Sequence, residues 1–224
     1  MIKNISNLGD AALYCDFGQE VNKETNTKVI KYFKSIQKEN IQGVNNLTPS
    51  YNKLIVSFDL KKTNFKSLKK KIEGLDTLNS NTLSGEKIEI PVCCDENFSL
   101  DIQRLEEKLK IDRENIYKNF FNKNFFCYMT GFIAGMPFLG DLDKTMRVKR
   151  LETPRVKVPK GSVGLTEQFA NIYTFESPGG WNIIGNTPKD IFDSSKEIEP
   201  NLINPGDTIT FIRITKDQYQ NYNE

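Results

Sequence analysis

The sequence predicts a two-part molecule, an α+β domain followed by a mostly-β barrel or sandwich. Three observations predict it. Apolar residues over residues 11–73 switch between the two-residue period of strands and the 3.6-residue period of helices. Residues 75–86 are polar and turn-forming, as a linker is. Beyond Phe125 the chain breaks into short strand-like runs between glycine and proline turns. The expected domains are residues 1–80, in the order ββαββα, and residues 86–224, a barrel with short helices at its start.

In order along the chain, residues 11–17 read as a strand ending at Gly18. Residues 22–39 read as a helix with Asn22 as N-cap and Val29, Phe33 and Ile36 on one face. Residues 41–50 and 53–58 read as strands around a turn at Tyr51-Asn52. Residues 64–73 read as a second helix, with Phe65, Leu68 and Ile72 facing inward and Gly74 as its stop. Lys61, Lys62, Lys66 and Lys69-Lys70-Lys71 are assigned to a solvated helix face.

Lys87–Val92 follows as a strand in which Pro91 suggests an edge or a bulge. Ser99 is expected to cap a helix carrying Ile102, Leu105 and Leu109. Asp112 is expected to cap another, carrying Ile116 and Phe120. Pro205-Gly206-Asp207 reads as the turn into a last strand ending at Ile214, and the tail from Lys216 as frayed.

Composition excludes several functions. The 224 residues carry 31 basic and 29 acidic side chains, a net charge of +2, which is no footprint for nucleic acid. No apolar run is long enough to span a membrane, and the N-terminus lacks a signal pattern, so a cytoplasmic location is expected. The chain has no histidine. That removes Ser-His-Asp and Cys-His catalysis and histidine-ligated metals. Cys15, Cys93, Cys94 and Cys127 show no C-x-x-C spacing, so no metal site is expected, and the thiols are read as reduced and mostly buried.

More than half of the 14 glycines and of the 9 prolines lie between Gly131 and Pro188. They fall in three blocks: Gly131-Phe-Ile-Ala-Gly-Met-Pro-Phe-Leu-Gly140, Thr153-Pro-Arg-Val-Lys-Val-Pro-Lys-Gly-Ser-Val-Gly164 and Ser177-Pro-Gly-Gly-Trp-Asn-Ile-Ile-Gly-Asn-Thr-Pro188. Glycine admits positive φ and close approach, and proline fixes φ. A surface of this kind is shaped by its main chain and suits a small polar molecule or a partner's loop.

Those blocks, in that order, together with Leu8-Gly-Asp-Ala-Ala-Leu13 and Glu89-Ile-Pro-Val92, resemble the PxpB family, the B component of bacterial 5-oxoprolinase. That family includes the kinase inhibitor KipI and the allophanate hydrolase subunit 1 domain of urea carboxylase. The resemblance covers nearly the whole chain. It implies a cyclophilin-like barrel for the second domain. It further implies a subunit that pairs with a PxpC- or KipA-like chain and, with a PxpA-like chain, uses ATP to hydrolyse 5-oxoproline to glutamate. The chain carries no G-x-x-x-x-G-K-[ST] loop, so ATP belongs to the complex rather than to this chain alone.

Alternatives from the same resemblance are a KipI-like inhibitor of a sensor histidine kinase and a subunit of an allophanate hydrolase or urea carboxylase type of complex. Peptidyl-prolyl isomerisation would follow from a cyclophilin-like barrel alone, and no residue here marks such a site. The chain departs from the family pattern at Ala134, Met136 and Asn186, where Pro, Phe and Arg are usual, and it lacks a usual histidine.

Arg155 is the candidate catalytic residue, since a guanidinium fork can grip a carboxylate or phosphate. A structural ion pair at the barrel rim is the competing reading. Substrate contact or a subunit interface is assigned to Gly135, Met136, Pro137, Phe138, Thr153, Pro154, Ser162, Gln168, Ser177, Pro178, Gly179, Gly180 and Trp181. For Gly135–Phe138 the favoured reading is an exposed interface loop. For Trp181 taken alone it is a core side chain, and Asp141 and Asp143 read as a solvated turn.

Overall fold

A computed structural model describes residues 2–75 and 85–222. Most of the linker expected at residues 75–86 therefore lies outside the described residues. The chain divides into two compact units, Met1–Ser84 and Gly85–Glu224.

The first unit holds strands β1 (Asn4–Asn7), β2 (Ala12–Asp16), β3 (Val44–Pro49) and β4 (Lys53–Phe58), with helices α1 (Lys23–Glu39) and α2 (Phe65–Glu73). The strands form one antiparallel sheet in the order β1-β2-β4-β3. The sequence reading located no segment for β1. In β4 every second residue points inward, so Leu54, Val56 and Phe58 meet Leu13 and Cys15 of β2 and the apolar faces of both helices in one core. Asn22 caps α1 by accepting from the Thr25 N–H, and Asn64 caps α2 by accepting from the Ser67 N–H. The inward face of α1 is broader than its period suggests, because Ile30 and Tyr32 are buried as well. Lys61 and Lys62 lie in the turn before α2 rather than on it.

The second unit is a closed seven-stranded barrel with a few helices. Its strands are β5 (Lys87–Cys93), β6 (Asn124–Thr130), β7 (Pro137–Gly140), β9 (Ser162–Thr166), β10 (Phe169–Ile172), β12 (Asn182–Asn186) and β13 (Thr208–Ile214). They close in the order β10-β7-β6-β13-β5-β12-β9. The pairing of β5 with β13 is parallel along its whole length, while β12 meets β5 only at Cys93. Pro91 therefore sits on a strand with one side largely free, where its missing N–H costs little. Two further strands, β8 (Arg155–Val158) and β11 (Ser177–Gly179), form a separate ribbon. Helices α3 (Ile102–Leu109) and α4 (Arg113–Phe121) pack on the barrel core, where Phe120 lies 4.8 Å from Phe211 and 5.0 Å from Phe125 between ring centres.

Two expectations are corrected. Ser99 does not cap α3. The cap position belongs to Asp101, and Ser99 Oγ instead donates to the Ile184 carbonyl and accepts from the Tyr117 hydroxyl. Burial against the barrel wall decides this, since a buried hydroxyl must find partners there. Nor is the tail frayed at Lys216. Helix α5 (Lys216–Gln220) opens with a reciprocal Thr215–Gln218 capping box, and Tyr219 packs 4.4 Å from Phe98 while donating to Asn186 Oδ1.

All four cysteines are free, three of them buried. Burial pushes the Cys15 and Cys94 thiols up to about 12 and raises that of Cys127 further, so these three are poor nucleophiles near neutrality.

Candidate functional site

The ribbon of β8 and β11 brings the second and third glycine-rich blocks together. Gly179 pairs with Arg155 and Ser177 with Val158, with a register shift between them. Gly179 must lack a side chain, because a β-carbon there would collide with the Tyr173 hydroxyl. Gly180 joins the ribbon to the segment before it, its carbonyl accepting from the Leu151 N–H.

From this ribbon Arg155 reaches the start of α3, where Nη2 donates to Asp101 Oδ1 at 2.6 Å. Asp101 is only 5% exposed. Its Oδ2 accepts from the Ile183 N–H and its own N–H donates to the Ile183 carbonyl. The neighbouring contacts follow the same path along β12. Arg104 Nε donates to Asn182 Oδ1, and Asn182 Nδ2 donates to the carbonyls of Lys149 and Leu165. The segment entering α3 is thus bound to β12 at successive residues, and Arg155 is tied into that seam.

The ion pair at the rim is therefore real, but it uses half of the fork. Arg155 Nη1 is buried and has no hydrogen-bond partner among the described residues, and the same holds for Ser177 Oγ. Burial raises the Tyr173 phenol, while hydrogen bonds with Asn171 and the Trp181 backbone, and after them the Arg150 and Arg155 cations, pull it partly back. Tyr173 stays a neutral hydroxyl beside the cation. The chemistry available is binding and orientation of an acceptor oxygen by a fixed cation and a hydroxyl.

Trp181 is 5% exposed, with Phe138 edge-on at 5.7 Å and the Arg150 guanidinium 5.7 Å from its ring centre. It is a core wall at the edge of this cluster rather than an open stacking surface. Pro154 lies beside Gly180, and Thr153, just before β8, and Pro178, within β11, are exposed.

The exposure expected of Gly135–Phe138 is overturned, since all four residues are buried. Met136 is 1% exposed and Phe138 9%, and Met136 joins Val158, Tyr173 and Ile183 in a small buried cluster. The cause is position: β7 lies between β6 and β10 in the closed wall, so the residues entering it are enclosed. The exposed aromatic of this block is Phe132, at 70%, held in the left-handed region at φ +70°.

Other candidates lie apart from Arg155 in the hydrogen-bond pattern. Ser162 pairs with Asn186 across β9 and β12. Gln168 Nε2 reaches Asp141, whose carboxylate accepts from the Tyr128 hydroxyl. Burial, and then Asp141, raises the Tyr128 phenol, which remains a donor. Asp141 is thus engaged rather than solvated, whereas Asp143 is an exposed partner of Lys123. Asn186, where the family resemblance calls for arginine, is buried and bonded to the Lys160 carbonyl.

Asp101 escaped the sequence reading. It sits in an ordinary helix-start sequence, and nothing local distinguishes a carboxylate that caps a helix from one that reaches Arg155, 54 residues away. Among the described residues no group of three or more His, Cys, Asp or Glu could hold a metal. A shallow cleft of about 430 Å³ lined by Cys94, Asp95, Arg213 and Lys216 is also present, but its cations are already paired with Glu114 and Asp95.

Residues 3–203 match the family model described as the carboxyltransferase domain, subdomain C and D. The chain is similar to the B component of 5-oxoprolinase from Bacillus subtilis (strain 168), at 30% identity over 98% of this chain and 96% of the relative. It is likewise similar to the B component of 5-oxoprolinase from Haemophilus influenzae, at 31% identity over 93% of this chain and 97% of the relative. The solved structure of TTHA0988 superposes with a TM-score of 0.82 at 26% identity, covering 91% of this chain, which spans 40% of that longer chain. The chain belongs to the carboxyltransferase-domain family, subdomains C and D, alongside the B components of bacterial 5-oxoprolinases.

Proposed function

We propose that this chain is the B component of an ATP-dependent 5-oxoprolinase, inactive alone and active with PxpC-like and PxpA-like partner subunits. The observation that carries the reading is the similarity, over nearly the full length of both proteins, to two relatives named as that component. In this reading residues 1–80 are an α+β domain and residues 86–224 a cyclophilin-like barrel, working in the cytoplasm.

The reaction opens a five-membered lactam. The C–N bond breaks, the oxygen of water joins the acyl carbon, and the ring nitrogen leaves as the amine of glutamate. A lactam is a stable amide, so the site must hold the substrate while the acyl oxygen is activated. Arg155 supplies the fixed cation for a substrate oxygen, with Gly179 opposite it on the ribbon, Ser177 further along, and Thr153, Pro154, Pro178 and Gly180 shaping the rim. Ser162 and Gln168 support neighbouring strands. The residues around Arg155 do not fit a nucleotide: one half-used guanidinium can hold a single anionic oxygen, with no run of phosphate-cradling amides followed by a lysine. ATP is accordingly assigned to the assembled complex, and no step of its chemistry to this chain.

The test is reconstitution. Purified chain and partner subunits, given 5-oxoproline and ATP, are expected to release glutamate and phosphate, and omission of this chain is expected to abolish both. Glutamate formed equally well without it ends the reading. Arg155→Ala is expected to lower kcat/KM by about 10²-fold or more, the scale of losing one fixed donor to a reacting oxygen. Unchanged turnover removes Arg155 from the site.

A further inference from the structure

We propose that Asp101 is a positioning residue: it holds one nitrogen of the Arg155 guanidinium so that the other, Nη1, meets an acceptor oxygen of the bound acyl substrate. The inference rests on the reading of function given above and assigns a role to a side chain that the reading leaves out.

Asp101 is built as a fixed point. It is nearly fully buried, and it exchanges two hydrogen bonds with the backbone of Ile183, one through its own N–H and one through Oδ2. That leaves Oδ1 for Arg155. Although Asp101 occupies the cap position of α3, its side chain makes no capping bond. Its carboxylate is committed to β12 and to the guanidinium.

A guanidinium–carboxylate pair that serves stability alone is best made with two parallel bonds. Here the second carboxylate oxygen is turned to Ile183, and the second guanidinium nitrogen is left buried with no partner among the described residues. A buried donor without an acceptor is unfavourable, and more so on a charged group. An arrangement selected for stability would not leave Nη1 in this state. One that presents Nη1 to an oxygen arriving from outside the chain would. The second orphaned polar atom, Ser177 Oγ, lies on β11, the strand paired with the one that carries Arg155. Ser177 pairs with Val158 rather than with Arg155, so the proposal rests on Nη1 alone.

Asp101 therefore acts through Arg155 and not on the substrate itself. Its removal leaves a guanidinium that can rotate away, so the loss falls on kcat as well as on KM.

The test is chemical rescue in the reconstituted complex. Arg155→Ala opens a space beside Asp101, and free guanidinium at millimolar concentration is expected to raise the kcat of that variant by about tenfold or more. In the double variant Asp101→Asn/Arg155→Ala the same addition is expected to give no rescue. The single variant Asp101→Asn is expected to lose about tenfold or more in kcat while its Trp181 fluorescence stays native. Equal rescue in both backgrounds, no rescue in either, or a native kcat in Asp101→Asn overturns the proposal. Should Asp101→Asn fail to fold, Asp101→Glu, which keeps the charge and displaces it, is expected to fold with reduced kcat. A native kcat in that variant, or failure of both variants to fold, overturns the proposal. If glutamate forms without this chain, the reading of function fails first and takes this proposal with it. If the chain is required and the rescue pattern is absent, this proposal fails alone.

Discussion

The helix starts of the first unit and the β12 seam of the barrel satisfy their polar groups in opposite ways. At the helix starts and the end of β2 in the first unit the partners are close in sequence, while Asn26, Asn52 and Lys53 of the same unit reach across 24 to 37 residues. Asn22 accepts from Thr25, Asn64 from Ser67, and Asp16 from Gly18. In the barrel they are far apart: Ser99 to Ile184, Asp101 to Ile183 and Arg155, Arg104 to Asn182, Glu86 to Asp207. Local bonds form in any chain that enters the right turn. Distant ones form only when the barrel closes, so they report on the fold as a whole. Among the described residues, the buried guanidinium nitrogen left without a partner, Arg155 Nη1, belongs to the second class, where a ligand can complete it.

The comparison is tested hardest at Asn182. Its side chain is fully buried and makes three bonds: donation to Lys149 and Leu165, and acceptance from Arg104. Asn182→Leu keeps the branched shape, adds bulk, and removes the partner of two carbonyls and of a guanidinium nitrogen. At about 1–3 kcal/mol for each stranded group, the expected loss is about 3–5 kcal/mol. It is measured as a shift of the urea midpoint, followed through the only tryptophan of the chain, Trp181, the residue beside it. A loss below about 1 kcal/mol would mean that apolar packing alone holds β12 and that the seam is incidental.

This contrast also explains what could be read in the sequence. Both helices of the first unit are announced by asparagine caps and by a period of apolar residues, and Gly74 ends the second. These signals lie within a few residues of what they specify. The three glycine-rich blocks were visible as a shaped surface for the same reason, since glycine and proline act on their own backbone. The burial of Met136 and Phe138 was not visible, because it depends on β7 lying between β6 and β10. The role of Asp101 was not visible, because its partners lie 54 and 82 residues away. Helix α5 was missed where a capping box could have revealed it: Thr215 and Gln218 stand three apart, and the shortness of the segment hid the pattern.

At the local end of the comparison, Asn22→Ala removes the acceptor for the Thr25 N–H at the start of α1. The expected cost is about 1 kcal/mol, the usual worth of an N-cap, read as a lowered thermal midpoint. A cost as large as that of Asn182→Leu would erase the distinction between local and closure-dependent bonds.

The smallest expected effect has a pH signature that identifies its source. Asp16 Oδ1 accepts from Lys53 Nζ at 2.6 Å and from the Gly18 N–H at 2.7 Å. The bond from Lys53 first, and then that from Gly18, holds the carboxyl below its usual range. A carboxyl lowered in the folded state stabilises that state above its unfolded value, about 3.9, and the contribution fades as pH falls from there toward the folded value. The pair lies near the surface, so Asp16→Asn is expected to cost no more than about 1 kcal/mol at neutral pH. The gap between wild type and variant should close as the solution is acidified below about pH 4, and shrink with added salt. A gap that persists through acid would assign the effect to the shape of the Gly18 turn, where Asn52 also anchors the chain by donating to the Gly18 carbonyl. In that case the worth of Asp16 would lie in the turn that its carboxylate and Asn52 hold at Gly18, not in the charge it shares with Lys53, 37 residues away.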